Sequence, residues 1–207
     1  MWPAIIAFME TTSRWARLVG GNVALDFVNT DVVSEHDRTS DVLRSADEFT
    51  AWCAYADVPG VTTAGVCGAN GDELLDETRS LRTAIRTVVE SIAAGRAADD
   101  QALSTLQSAY TTAISDAIPA ISDERLSWRW TTPTPKTLVW ELTTSAVALL
   151  SDGPTDRIKV CPTCGFVFLD TTKNRSRRWC SMDDCGKQEK IRRYIAKRAE
   201  TRRPSGR

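Results

Sequence analysis

The chain of 207 residues is 42% hydrophobic, so it is long and apolar enough to bury a core of ordinary size. Its formal net charge of -1 hides a division, because residues 157–207 carry 15 Lys/Arg against 5 Asp/Glu, whereas the preceding residues carry 11 against 22. The basic end predicts a polyanionic partner, and the lack of any run of about 18 apolar residues excludes a membrane-spanning helix.

The first 153 residues predict a mainly helical domain, because hydrophobic residues recur there at helical spacing. The predicted helices cover residues 22–33, 45–58, 72–94, 99–119 and 136–150. Ser45 begins a capping-box pattern, and Asp99 or Asp100 can cap the fourth helix. We expect this domain to sense a small-molecule effector or to form a homodimer.

The hydrophobic period changes near the end of this domain. Leu126, Trp128 and Trp130 alternate with polar residues, which predicts a short strand with one apolar face. This strand is expected at a sheet edge or paired with residues 17–19. Asp152-Gly153-Pro154 then predicts a hinge, which divides the chain into domains 1–153 and 154–207.

The amino-terminal residues do not predict export. Trp2 to Met9 form a short apolar stretch with no basic residue before it, unlike a secretory signal peptide. The expected location is therefore the cytoplasm, where cysteines stay reduced. Cys53 and Cys67 are then expected to be ordinary free thiols.

Four other cysteines have the spacing of a metal site. Cys161 and Cys164 are separated by two residues, which allows both thiolates to turn inward at a tight knuckle, and fifteen residues later come Cys180 and then Cys185. Four thiolates predict one structural Zn²⁺, with iron as the alternative metal and two disulfides as the alternative without metal. A closed site of this kind has no open position for a catalytic water.

The predicted fold class is therefore mainly α, with a short β element, plus a small zinc finger. Residues 166–169 are β-prone, and a helix is expected to begin at Cys185. The order of knuckle, hairpin and helix-borne second pair is similar to the treble-clef class. In the final helix Ile191, Ile195 and Ala199 form an apolar stripe, which we expect to pack on the finger.

Three finger segments resemble the CGNR zinc-finger family of bacterial regulators. These are Cys-Gly-Phe-Val-Phe-Leu-Asp-Thr at 164–171, Asn-Arg-Ser-Arg-Arg-Trp-Cys-Ser-Met at 174–182, and Cys-Gly at 185–186. Gly-Gly-Asn-Val-Ala-Leu-Asp-Phe-Val-Asn-Thr at 20–30 and Ser-Ala-Val-Ala-Leu-Leu at 145–150 resemble the opening and the last helix of the ABATE domain, which precedes the finger in that family. The resemblance implies a bacterial regulator of transcription. Lys187-Gln188 stands where the family has Asn-Arg, so the family's Asn and Arg are absent at these positions, and no zinc ligand is lost.

The basic residues around the finger predict a nucleic-acid surface. The candidate contact residues are Lys173, Arg175, Arg177, Arg178, Lys187, Lys190, Arg193 and Lys197. Duplex DNA is the favoured partner, and RNA stays open because related fingers bind both. The same charge is also compatible with a solvated face that balances the acidic domain, or with an adaptor that docks on an acidic protein.

The sequence does not predict an enzyme, because it has no Gly-rich phosphate loop and no Ser/His/Asp arrangement. The single histidine, His36, lies among charged residues and is interpreted as a surface residue. Asp26 and Asn29 share one face of the first helix, where they are candidates to line an effector pocket. The favoured interpretation is that they are buried hydrogen-bonding residues that fix this helix against a neighbour.

Overall fold

A computed structural model describes residue 15 and residues 17–31, 41–61, 71–122, 124–131 and 134–201. The sequence predictions for Trp2 to Met9, His36 and Cys67 lie outside the described residues. None of the helices described is long and apolar enough to cross a membrane.

The described part of the chain is mainly helical, which confirms the predicted fold class. Its α-helices are α1 (Val23–Val28), α2 (Ala46–Tyr55), α3 (Gly71–Ala93), α4 (Asp100–Ser115), α5 (Pro135–Asp152) and α6 (Lys187–Thr201). Its strands are β1 (Ile118–Ser122), β2 (Arg125–Arg129), β3 (Ile158–Val160) and β4 (Val167–Leu169), which form two separate antiparallel hairpins.

Local side-chain caps explain where three of the helices begin. Ser45 Oγ accepts a hydrogen bond from the Glu48 amide at the start of α2, and Asp99 Oδ1 accepts one from the Ala102 amide at the start of α4. Thr134 caps α5, where it forms a reciprocal capping box with Thr137. These caps satisfy amide groups that have no partner within the helix.

The hydrophobic core is built around α1, which contacts α3, α5 and β4. Leu25 and Phe27 are fully buried, and the Phe27 ring lies 5.7 Å from Trp52 and 6.2 Å from Phe49. Each large buried side chain of this kind contributes roughly 1.5–3 kcal/mol to folding. Cys53 is buried in the same core, and burial raises the pKa of its thiol.

The first helix is shorter than the prediction of residues 22–33. It ends at Val28, and a single 3-10 turn follows at Asn29–Asp31. Arg86 Nη2 donates to the Val28 carbonyl at 2.7 Å, and Thr30 Oγ1 donates to the Phe27 carbonyl at 2.7 Å. These side chains satisfy the last carbonyls of the helix, which allows it to stop without a glycine.

The predicted pairing of the strand near residue 126 was wrong. Helix α4 ends at Ser115, before Pro119, and β2 pairs with β1 rather than with residues 17–19, so that Ile121 lies opposite Leu126. A local hairpin closes with little loss of chain entropy, and Pro119 is tolerated in a strand at a sheet edge. Of the predicted apolar face, Leu126 is 61% accessible, whereas Trp128 and Trp130 are partly buried.

The carboxy-terminal hairpin is continuous with the helical core. Ile158, Val167 and Leu169 belong to the same buried cluster as α1, and the Leu169 amide donates to the Gly20 carbonyl at 2.8 Å. At the predicted hinge, a Cβ on Gly153 would collide with the Leu149 carbonyl, so this connection is closely packed. The division at 153/154 stays a prediction, and the two predicted parts share one core.

Candidate metal centre and nucleic-acid surface

Four cysteine sulfurs converge in the finger. The Sγ atoms of Cys161, Cys164, Cys180 and Cys185 all lie within 4.8 Å of one another. The Cys164–Cys180 and Cys180–Cys185 sulfur separations are 3.4 and 3.7 Å. A tetrahedral zinc with Zn–S bonds of about 2.3 Å requires sulfurs about 3.8 Å apart, whereas a disulfide requires about 2.05 Å. The set fits one structural zinc ion and not two disulfides.

Two tight turns bring the cysteines together. The Gly165 amide donates to the Cys161 carbonyl at 2.9 Å, and the Cys161 amide donates to the Phe166 carbonyl at 2.8 Å. Gly165 has a φ of 78°, a left-handed conformation that glycine adopts without strain. Cys185 lies in a one-turn π-helix, Met182–Gly186, which leads directly into α6. The metal site therefore fixes the start of α6.

Electrostatics shows why this cluster needs a cation. Hydrogen bonding with Cys161 raises the pKa of the Cys164 thiol to about 12, while donation from Cys164 and Cys180 lowers the pKa of Cys161. One thiolate at such a short range thus suppresses ionisation of its neighbours. A divalent ion removes that repulsion and makes four thiolates stable together.

Large side chains exclude water from the sulfurs. Phe166 and Phe168 are buried beside the cysteines, and Trp179 and Val19 pack against the same cluster. Val19 comes from the amino-terminal part of the chain, so the finger interior is completed by both predicted domains. These few contacts replace a conventional core in a unit this small.

Asp170 organises the loop between β4 and Cys180. Its carboxylate is buried and accepts hydrogen bonds from Lys159 Nζ at 2.6 Å, from the Thr172 amide at 2.9 Å and from the Arg177 amide at 3.0 Å. Burial opposes ionisation, but these donors outweigh it and hold the pKa of Asp170 well below its usual range. The loop is therefore fixed at its base by an ionised carboxylate.

The structure places Arg177 inside the finger rather than on a free surface. Its Nε donates to the Trp179 carbonyl at 3.0 Å, Nη1 donates to the Leu169 carbonyl at 3.4 Å, and Nη2 donates to the Cys180 carbonyl. The guanidinium also lies 4.6 Å from the centre of the Phe168 ring. Arg177 therefore stabilises the backbone that leads to the zinc ligand Cys180. Its guanidinium N–H groups are largely engaged there and are poorly placed to bind a phosphate.

The other seven candidate contact residues are exposed. They are Lys173, Arg175, Arg178, Lys187, Lys190, Arg193 and Lys197. Arg175 pairs with Asp156, and Arg193 Nε donates to Glu189 at 2.8 Å. Such exposed pairs are weak and screened, so a phosphate can compete with them.

Several functional contacts had no clear sequence signal. Arg17 forms an ion pair with Asp184, one residue before a zinc ligand. Arg157 donates to the carbonyls of the loop base, and Lys159 binds Asp170, so both cations are engaged by the chain itself. Arg192 is exposed on α6 beside the predicted contact residues. These contacts form between residues that the fold brings together, so spacing along the chain does not predict them.

The predicted packing of the α6 stripe on the finger was wrong. Ile191 and Ile195 are 49% and 60% accessible, and Tyr194 beside them is 60% accessible. Phe166 and Phe168 already fill the finger interior, so the stripe is not needed to complete it. Helix α6 instead leaves the finger at its first turn, and every described side chain from residue 191 onward is exposed.

Asp26 and Asn29 both bind the chain's own backbone. The Gly20 amide donates to Asp26 Oδ1 at 2.7 Å, and burial raises the pKa of this carboxyl to about 6. Asn29 Nδ2 donates to the Val167 carbonyl at 2.9 Å, and the Val167 amide donates back to Asn29 Oδ1 at 2.8 Å. An effector would have to compete with these bonds, so the effector pocket stays a prediction.

The fold and the site define a helical domain joined to a structural zinc finger that can hold one zinc ion. The sequence model of the ABATE family, described as a putative stress-induced transcription regulator, matches residues 21–153. That of the CGNR zinc finger matches residues 157–198. The chain belongs to the ABATE family and carries a CGNR zinc finger. No curated protein matches it in sequence.

Proposed function

We propose that this chain is a DNA-binding transcription regulator of the bacterial cytoplasm, whose zinc finger presents a basic surface to duplex DNA. The observation that carries the proposal is the placement of exposed cations on the two elements that the metal site fixes. The loop with Lys173, Arg175 and Arg178 ends at Cys180, and α6 begins two residues after Cys185.

The chemistry expected of this surface is phosphate binding. Lysine and arginine side chains that neutralise phosphates release condensed counterions, which gives strong binding at low salt. The hydrogen bonds of buried Asp170 restrain the loop backbone, which lowers the cost of ordering the loop on binding. Arg177 acts within the finger as a support for this surface.

The helical domain is proposed to regulate the finger. Asn29 joins α1 to Val167 of β4 through two buried hydrogen bonds, and Val19 packs against the cysteine cluster. An effector or a second subunit that moves α1 would therefore move the finger as well. This contact is one route by which a change in the helical domain could reach the finger.

The experiment measures the affinity of zinc-loaded, full-length protein for a random-sequence duplex as salt is varied. If about five cations engage phosphates, log affinity falls against log salt with a slope of about -4 to -5. Lys187→Gln with Lys190→Gln should weaken binding to every sequence and reduce the slope by about 2.

The matched control removes two exposed cations from the helical domain, Arg96→Gln with Arg129→Gln. It lowers the net charge equally and should leave the slope unchanged. Affinity independent of salt, or equal losses in the two double variants, would contradict a finger-borne DNA surface. Binding to RNA alone would favour an RNA-binding protein, and binding to no nucleic acid would favour an adaptor.

A further inference from the structure

The apolar stripe on α6 has no partner within the finger. Ile191 and Ile195 lie one helical turn apart and are 49% and 60% accessible. Phosphate binding does not require aliphatic side chains on a basic helix. An apolar group on a binding partner would explain why residues 191 and 195 are isoleucines and not polar residues.

Cations flank the stripe on both sides. Because successive residues of an α-helix are offset by about 100°, Lys187 and Lys190 lie to one side of the two isoleucines and Arg192 lies to the other. All three are exposed, and only Arg192 has an ion pair among the described contacts, at 3.4 Å from Glu189. The partner must therefore be apolar along a central line and anionic along both borders.

We infer that α6 enters the major groove of duplex DNA and that Ile191 and Ile195 contact the methyl groups of thymine. The inference rests on the proposed function and specifies how the same surface selects its DNA. Thymine is the only standard DNA base that presents a methyl group at the floor of that groove. The phosphates of the two strands form its borders, so Lys187 and Lys190 would face one strand and Arg192 the other.

The dimensions agree with this arrangement. An α-helix with its side chains is about 10–12 Å wide, and the major groove of B-form DNA is about 12 Å wide. A helix that enters the groove must be exposed on all sides. The described side chains of α6 from residue 191 onward are all exposed. Arg198 Nη1 lies 3.1 Å from the Tyr194 hydroxyl, so these two side chains form one unit beside the stripe.

The test compares two duplexes that differ only in the methyl group, alternating poly(dA-dT) and alternating poly(dA-dU). Zinc-loaded, full-length protein should bind the deoxyuridine polymer more weakly, by about fourfold for each methyl group contacted. Ile191→Ala with Ile195→Ala should bind both polymers equally, while its salt slope stays that of the unmodified chain. The matched control is Ile121→Ala, because Ile121 is equally aliphatic and 74% accessible but lies on the β1–β2 hairpin.

Equal affinity of the unmodified chain for the two polymers, with a normal salt slope, would overturn this inference and leave the proposed function standing. Loss of binding to both polymers would instead reject the proposed function. Tighter binding to duplex RNA, which carries no thymine methyl, would also overturn the inference. The polymer comparison uses the unmodified chain, so its result does not depend on whether the double variant folds.

Discussion

Asn29 shows how one side chain can join two parts of the fold. Its amide group satisfies both the amide and the carbonyl of Val167, and all of these groups are buried. A buried polar group without a partner costs about 1–3 kcal/mol. The sequence placed Asn29 on the first helix and favoured a buried hydrogen-bonding role, but it could not supply a partner 138 positions away.

Asn29→Ala should lower the free energy of unfolding by about 2–4 kcal/mol, because both polar groups of Val167 lose their partner. Urea unfolding followed by circular dichroism measures the change. Asn174→Ala replaces an exposed asparagine and should change stability by less than about 0.5 kcal/mol. Similar effects of the two substitutions would show that the Asn29 contact is not important.

Glu141 provides a pH-dependent test of how burial affects a single carboxyl group. Burial of this partly accessible residue of α5 raises its pKa from 4.5 to about 7. A carboxyl group with a raised folded pKa binds its proton more tightly in the folded state, so stability falls as pH rises from about 4.5 to 7. Glu141→Gln should therefore stabilise the protein at pH 8, by roughly 1 kcal/mol given its partial exposure, and little at pH 5.

Urea unfolding of both proteins at pH 5 and pH 8 measures this difference. Glu90→Gln is a suitable comparison, because Glu90 is a partly exposed helical glutamate that accepts a hydrogen bond from Arg86 at 2.9 Å. That substitution removes a favourable contact and should not stabilise the chain at pH 8. A Glu141→Gln effect that is equal at the two pH values would contradict the raised pKa.

For helices and strands, the sequence predicted the features that depend on residues close together in the chain. Ser45 and Asp99 were recognised as helix caps because a cap acts within three residues. The partner of β2 was missed because Pro119 was interpreted as a helix end. The α6 stripe was expected to be covered, since periodicity identifies an apolar face without showing what packs on it.

The loop from Asp170 to Cys180 contains two neighbouring arginines with different surroundings. Arg177→Gln should weaken zinc retention, because three carbonyl oxygens lose their donor next to Cys180. Arg178→Gln should leave zinc retention unchanged and weaken DNA binding, because Arg178 is exposed. Competition with a chromophoric chelator measures zinc retention, and anisotropy measures DNA binding. The opposite pattern would show that the two arginines had been assigned the wrong roles.

For the molecule as a whole, the four cysteines were found from spacing, whereas the shared core was not. The Cys-x-x-Cys pair is a local signal, but burial of Ile158 and Val167 against α1 depends on the complete fold. The predicted hinge at Asp152-Gly153-Pro154 suggested a separate finger. The division at 153/154 stays a prediction, and the hairpin of the finger packs in the same core as α1.

Zinc removal should therefore destabilise the entire described fold and not the finger alone. The β3–β4 hairpin, which the cysteines hold, buries Ile158, Val167 and Leu169 in the helical core. Calorimetry of zinc-loaded and chelated protein should show a lower melting temperature for the main helical transition after chelation. An unchanged transition would mean that the two predicted domains are energetically independent.

The proposed role of zinc is to hold the loop and α6 in the geometry that binds DNA. Its most direct test is the affinity of the full-length protein for one random-sequence duplex before chelation, after chelation and after zinc is restored. We expect salt-dependent binding that is lost on chelation and recovered with one equivalent of zinc. Equal, salt-dependent binding by the zinc-free protein would contradict this role of zinc and show that the charge alone is responsible.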